Sequence, residues 1–477
     1  MSKPAETKLS FWALIGMVVG SMVGAGIFSL PQAFGRATGP FGAMIAWTIA
    51  GVGMLMVAFV FQTLSERRPD LDAGIYAYAK EGFGNYLGFL SALGYWAAAL
   101  LGNVTYFILI KSTLGLFFPV FGDGNTLLAV ATSSCLLWLM HWVILKGIRE
   151  ATALNAVVTI AKIIPILIFI LLVLLAFKWE VFLDSFWGPD DASWGSIAGQ
   201  VRSTMLVTVF VFVGIEGASV YSRYARKRSD VGTATVGGFF IVLGLLLAVT
   251  LLSYGVLSPE ELGGLRNPSM AGVLASVVGP WGAVFVSLGL MVSVAGAYLA
   301  WVLLAAEILY SAAKYETMPR FLAKENRHRV PANALWLTNI IVQLFLIVSM
   351  FTDYAFALAV AMTSAMILIP YFLVAAFGFK TSWERHDPES RKPRWLRGDI
   401  LQSFVALIYT AGLIYAAGSK YLLLTTLIYG PATILFFIAR SEQRVSIFNR
   451  REMILFVILM ICAVFSAYNV FFEGMSF

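Results

Sequence analysis

The stretch GSMVGAGIF, Gly20 to Phe28, decides how this chain folds. It lies inside an apolar run from Phe11 to Phe34. A run of that length is built to cross a membrane as a helix. Yet Gly20, Gly24 and Gly26, with Ser21 among them, fall near its middle. Each glycine weakens a helix interior by about 0.5–1 kcal/mol relative to alanine. Two readings follow. Gly16, Gly20 and Gly24 make overlapping small-xxx-small spacings that let a neighbouring helix approach closely. Alternatively the helix breaks here, a reading favoured by the small residues Ala25 and Gly26 and by Pro31 close behind.

Of the 477 residues, 60% are hydrophobic and 12% charged, against about 25% charged in soluble chains. With a mean hydropathy of +0.84 and many apolar runs of about 20 residues, the chain reads as an all-α polytopic membrane protein. The runs are too long and too evenly apolar for barrel strands. The polar first ten residues precede a segment long enough to span, so no cleavable signal peptide is expected. Thirteen spans are predicted: 11–35, 41–64, 85–117, 126–145, 152–177, 203–221, 234–256, 281–312, 334–351, 355–378, 401–417, 421–438 and 452–472. Alternate inter-span segments carry 26 of the 33 Lys and Arg, and the opposite side carries five: Arg36, Lys178, Arg202, Arg266 and Lys420. This bias predicts a cytoplasmic N-terminus in the cell inner membrane. The net charge of +7 is therefore a topology signal, with a lesser part in meeting anionic lipids, and the expected partner is the bilayer rather than nucleic acid. Cys135 and Cys462 lie in apolar runs, and His141, His328 and His386 are scattered. No disulfide framework, metal site or cofactor is expected. An oligomer is compatible with the sequence, which does not specify one.

The glycine-rich run has an echo five spans later in FVGIEGASVYS, Phe212 to Ser222, where Gly214 and Gly217 bracket Glu216. Paired, glycine-interrupted segments in two halves of a chain point to an inverted-repeat transporter with a 5+5, LeuT-like core and broken helices 1 and 6. The first repeat covers about 11–177 and the second about 203–378, with additional helices at about 401–472, all in one transmembrane transporter domain. Unwound backbone at membrane depth is tolerated only where it lines a cavity. Half-helix N-termini there offer free N–H groups to an anion such as an α-carboxylate.

The stretches GAGIFSLP, GIEGAS, YWAAALLGN and AWVLLAAEILYSAAKYETMP resemble the amino acid–polyamine–organocation superfamily. Within it the resemblance is to the basic amino acid/polyamine antiporters and, most narrowly, to bacterial arginine/ornithine antiporters, including a thirteenth span. It implies a secondary transporter, not an enzyme, that exchanges cationic amino acids by alternating access.

Lys162 lies within span 5, where a central charge costs about 2.5–3.5 kcal/mol on insertion scales. It stands about 16 Å along a helix from the nearest polar loop, too far to snorkel. The resemblance implies that its ammonium donates to the span 1 carbonyls near Gly20 and Ser21 as a fixed or titrating surrogate cation, which makes Lys162 the coupling residue. Glu216 reads either as a cap for the following half-helix or as a gate, the role the resemblance implies. Trp301 and Phe210 are ordinary core aromatics by composition. By family position they wall the substrate side chain, where cation–π contact is worth about 0.5–2 kcal/mol. Phe210 and Ser21 depart from the tryptophan and asparagine of the arginine/agmatine antiporter. The resemblance also implies that the α-carboxylate meets Gly24, Ala25 and Gly26, and that the α-ammonium meets carbonyls at Met22, Phe210 and Val213. Asn103 is helix–helix glue or a substrate contact. Tyr76, Tyr95 and Tyr371 match gating tyrosines, and Thr363 and Ser364 offer hydroxyls. Glu307 reads as a solvated or paired acid. Three rivals stand beside exchange: a proton-coupled symporter of lysine or another amino acid with the same fold, a channel, and a membrane enzyme. The enzyme lacks a nucleophile–base pair in the spans.

Overall fold

The computed structural model describes the chain from Ser10 to Phe472, apart from residues 69, 72–73, 147, 189–191, 217–225, 227–228, 353 and 385–397 and the side chains of 148–160, 229 and 471. Among the described residues every regular element is helical. The first apolar run is two helices, α1 (Phe11–Met22) and α2 (Gly26–Ala37), bent by 47° across residues 23–25. Ser10 starts α1, its Oγ accepting the Ala13 N–H at 3.3 Å, which satisfies one orphan donor of the first turn. Val23 ends it in extended backbone (φ −78°, ψ 90°). The break reading therefore holds. Close packing does not explain Gly16, since a Cβ there would meet nothing within 4 Å.

Next come α3 (Pro40–Arg67), with Pro40 in the first turn, where its missing N–H costs nothing, and the short α4 (Ile75–Phe83). The long α5 (Asn85–Phe117) is apolar on every side, as a helix enclosed by others must be. In its most apolar stretch 94% of residues are buried. Then follow α6 (Leu127–Lys146), α7 (Ile148–Leu175), α8 (Trp179–Asp184) and α9 (Trp194–Phe212). The expected loop over 178–202 is corrected. It holds α8, and α9 starts nine residues before the predicted span at 203. Gln200 and Arg202 dilute the apolar signal, but Ser193 caps the helix by accepting the Ser196 N–H, and Gln200 Nε2 donates to the Trp187 carbonyl at 3.1 Å. After Phe212 the chain leaves helical space at Val213 (φ −58°, ψ 128°). Gly214 takes φ +110°, a conformation closed to ordinary side chains. The second break falls where FVGIEGAS predicts it. The half-helix expected beyond it lies outside the described residues.

The remaining helices are α10 (Ser229–Ser253), α11 (Pro259–Gly264), α12 (Ser269–Val278), α13 (Pro280–Lys314), α14 (Ala332–Val348), α15 (Ala355–Glu384), α16 (Gly398–Ala432), α17 (Ile434–Glu442) and α18 (Arg450–Phe472). Among the described residues ten helices are long and apolar enough to cross a membrane, and the bent pair α1–α2 makes an eleventh candidate. The helical run 398–442 counts once among the ten although it is 45 residues long. At 1.5 Å per residue it exceeds twice a ~30 Å hydrocarbon core, and Gly418 breaks it with φ +74°. Two expected spans occupy that run, and a further one, 152–177, falls on α7. Helix α5 packs against α13 and α15 at the centre, whereas only 17% of the apolar stretch of α18 is buried.

Candidate functional site

The two breaks meet. Helix α1 stops at Met22, so the carbonyls of its last turn lose their helical partners. Each of two such carbonyls is met by a side chain from another helix. Lys162 of α7, 1% exposed, donates from Nζ to the Gly20 carbonyl at 2.5 Å. Trp301 of α13 donates from Nε1 to the Ser21 carbonyl at 3.2 Å. The Ser21 hydroxyl shares its proton between the Val18 carbonyl, 2.9 Å away, and the Gly214 carbonyl in the second break, 2.8 Å away. Lys162 thus stands at the carbonyl where the sequence reading put it. The Trp301 indole N–H thus pins the first break, a contact the sequence reading did not include.

A small cavity of about 20 Å³ lies between the breaks, lined by Ser21, Met22, Gly24, Ala25, Gly26, Phe210, Val213 and Trp301 together with Ala98, Ala99, Gly102, Tyr106, Val211 and Thr363. That volume holds about one water molecule. The glycines here are needed for space. A Cβ on Gly24 would stand 2.7 Å from the Tyr106 hydroxyl, and one on Gly26 2.5 Å from Val211 Cγ1 and 2.9 Å from Phe210 Cδ1. At the start of α2, Ala25 supplies no side-chain cap, which leaves the positive end of the half-helix without a side-chain cap among the described residues. The Gly24 N–H turns back to the Met22 carbonyl at 3.0 Å.

Below this cavity Glu216, 1% exposed, accepts the Tyr95 hydroxyl on Oε1 and the Tyr371 hydroxyl on Oε2, both at 2.6 Å. Its Oε2 also accepts the Gly214 N–H at 3.2 Å. Glu216 therefore caps its own break and ties it to α5 and α15. Of the three tyrosines singled out, two converge on this carboxylate. Tyr76 on α4 does not: it is buried, and its hydroxyl has no partner among the described residues. Asn103 is fully buried, lies outside the lining of the small cavity, and leaves both amide atoms without a partner among the described residues. The Thr363 hydroxyl turns back to the Ala359 carbonyl at 2.7 Å. That of Ser364 reaches the Leu206 carbonyl on α9 at 2.6 Å, and Glu307 accepts the Ser311 hydroxyl at 3.4 Å.

The family model described as amino acid permease matches residues 9–474. The chain belongs to the amino acid permease family. The permease is 50% identical to the arginine/ornithine antiporter of Pseudomonas aeruginosa, with 99% of each chain covered. It is 41% identical to the L-lysine transport protein of Corynebacterium glutamicum, over 95% of this chain and 93% of the relative. Among solved structures, the crystal structure of MhsT in complex with L-phenylalanine superposes with a TM-score of 0.62 at 16% identity, covering 87% of the permease and all of that chain. At that identity the likeness establishes a shared LeuT-type fold alone.

A second, larger space opens at the end of the permease poor in Lys and Arg. It measures about 500 Å³ and is lined by Gln32, Arg36, Lys111, Asp123, Arg266 and Asn267, with Phe210 also in its wall. Phe210 faces both this vestibule and the small cavity. The vestibule meets solvent, since the Arg266 and Asp123 side chains at its rim are 49% and 75% exposed. Along α5 the order is Tyr95 at Glu216, Ala98 to Tyr106 at the cavity and Ile108 to Ser112 in the vestibule. The sequence reading missed Tyr106, Gly102 and Ala98. Their spacing of four put them on one helix face with the YWAAALLGN stretch, and that periodicity was the available signal.

Proposed function

We propose that this permease exchanges cationic amino acids across the bacterial inner membrane, arginine against ornithine, by alternating access. The observation that carries the substrate class is full-length likeness to the arginine/ornithine antiporter. The α-carboxylate docks on the backbone N–H groups at Gly24, Ala25 and Gly26, the Gly24 N–H leaving the Met22 carbonyl to do so. The α-ammonium meets break carbonyls at Met22, Phe210 and Val213, and the side chain lies between Phe210 and Trp301. The Ser21 hydroxyl holds the two breaks together around it. Lys162 acts as a fixed cation on the Gly20 carbonyl, which suits exchange of two monocations without net proton movement. Glu216 with Tyr95 and Tyr371 is the closed gate on the cytoplasmic side, and Tyr76 lies beyond it. The vestibule faces outward, in keeping with its Lys- and Arg-poor end. The protein acts as one transmembrane domain of two repeats, about 11–177 and 203–378, with additional helices at 401–472 and a cytoplasmic N-terminus. It performs no covalent chemistry.

Counterflow in proteoliposomes tests this reading. Labelled arginine should accumulate in ornithine-loaded vesicles much faster than in empty ones, with or without sodium. Likeness to the L-lysine transport protein supports a second reading, proton-coupled lysine uptake. Uptake into empty vesicles that is driven by a pH gradient and matches the loaded rate would decide for it.

A further inference from the structure

Lys111 is a second ammonium inside a membrane helix, and nothing in the exchange cycle uses it. It is 1% exposed. Its Nζ donates to Ser349 Oγ at 2.7 Å, and Ser349 passes its own proton to the Leu346 carbonyl at 2.7 Å. Among the described residues Lys111 has no other hydrogen-bond partner and no ion pair, so two of its three donors are left for something else. A buried charge held by one neutral hydroxyl is costly, and the group that best relieves it is a carboxylate.

The same vestibule holds an acceptor with the opposite need. Asn267 Oδ1 is buried and has no partner among the described residues. Its orientation is fixed by a chain of bonds. Gln32 Nε2 donates to the Leu265 carbonyl, which turns Gln32 Oε1 towards Asn267, and Asn267 Nδ2 donates to that oxygen at 2.7 Å. The remaining amide atom must be the acceptor. Asn267 is also anchored to the residue after Lys111, because Ser112 Oγ donates to its carbonyl at 3.0 Å. Lys111, Ser112, Ser349, Gln32 and Asn267 all line the outer vestibule. Among the described residues the wall carries three cations, Arg36, Lys111 and Arg266, against one acid, Asp123, and Arg266 already pairs with Asp123. Such a wall repels a bare cation and draws in the anionic end of a zwitterion.

We propose that Lys111 and Asn267 form a second subsite in the outer vestibule that captures the α-amino acid head group, with the carboxylate on the Lys111 ammonium and the α-ammonium on Asn267 Oδ1, before the substrate passes Phe210. The subsite rests on the exchange reading and deepens it. It selects amino acids over their decarboxylated amines, and it does so from the outer face only, because the vestibule is absent from the route of a substrate arriving at the opposite face.

The test is sided counterflow with arginine as substrate and agmatine, its decarboxylated analogue, as competitor. In the wild type, discrimination of arginine over agmatine should be about tenfold greater from outside than from inside. Lys111→Met should raise the outer KM for arginine about tenfold, leave the inner KM within about twofold, and abolish the difference in discrimination between faces. Lys111→Arg should hold the outer KM within about threefold of the wild type. Equal discrimination on the two faces of the wild type overturns the subsite, and this arm stands even if Lys111→Met does not fold. So does an outer KM that Lys111→Met leaves unchanged, or inner and outer KM values that rise together, as a packing defect would make them. Absence of arginine/ornithine exchange in the wild type removes the exchange reading itself. Exchange without asymmetry removes the vestibule subsite alone.

Discussion

The Ser21 hydroxyl donates to the Gly214 carbonyl across 2.8 Å, joining two helix breaks 193 residues apart in sequence. Neither break has a helical partner to offer the other. One hydroxyl therefore couples the unwound middles of spans 1 and 6, whose joint movement alternating access requires. Ser21→Ala removes that link and leaves a buried carbonyl short of a donor, at a cost of about 1–3 kcal/mol. The expected outcome is a lower unfolding temperature in detergent and arginine binding weakened about tenfold. Unchanged values of both would mean that the breaks are held by packing instead.

Gly26 and Gly16 make a matched pair. A Cβ on Gly26 overlaps Val211 and Phe210, whereas a Cβ on Gly16 meets nothing. Gly26→Ala should cost about 1–3 kcal/mol through overpacking and abolish exchange, because the added methyl fills a cavity already near the size of a water molecule. Gly16→Ala should preserve exchange and raise helix stability by up to about 1 kcal/mol. Thermal unfolding and counterflow on both variants check this, and equal effects would refute the distinction.

Trp301 has two separable contributions. Trp301→Phe keeps an aromatic face but loses the bond to the Ser21 carbonyl, at about 0.5–1.5 kcal/mol. Trp301→Leu loses both and should weaken arginine binding by about 1–2 kcal/mol more, the scale of a partly desolvated cation–π contact. Binding isotherms with labelled arginine give the ordering, and identical affinities for the two variants would remove the cation–π part.

Lys162→Met keeps the length of the side chain but strips the Gly20 carbonyl of its donor. The variant should fold and lose most exchange. Lys162→Arg should rescue poorly, since a planar fork does not reproduce a compact ammonium. Wild-type rates in Lys162→Met would reduce Lys162 to a tolerated interior charge.

Tyr371→Phe breaks one of the two 2.6 Å bonds to Glu216 and leaves the other. Loss of such a buried hydrogen bond costs about 0.5–1.5 kcal/mol. With the proposed gate loosened, arginine should leak from loaded vesicles without counter-substrate. Leak is the readout: a tight variant with normal exchange would show that the gate is closed by bulk alone.

Sequence by itself determined the class of the protein, because hydropathy and run length are local properties. Apolar runs near the length of a bilayer must be helices, and glycines in mid-run must be space or a break, so both breaks could be read from GSMVGAGIF and FVGIEGAS. An interior charge such as Lys162 or Glu216 also announces itself, since burial makes it costly wherever it ends up. Tertiary structure decided which groups meet. That Tyr95 and Tyr371 reach Glu216 while Tyr76 does not, that Trp301 donates to Ser21, and that Asn103 stands outside the cavity all depend on how helices more than a hundred residues apart are rotated and set against one another. Sequence spacing fixes the face of one helix and not its neighbour. The same limit hid the start of α9: Gln200 lowers the local apolarity but finds its partner, Trp187, only in the folded chain. Lys111 shows the boundary most plainly. Its burial could be inferred from its place in span 3, but its hydroxyl partner, Ser349, and the unpartnered Asn267 amide oxygen are brought to the same vestibule only by the folded chain.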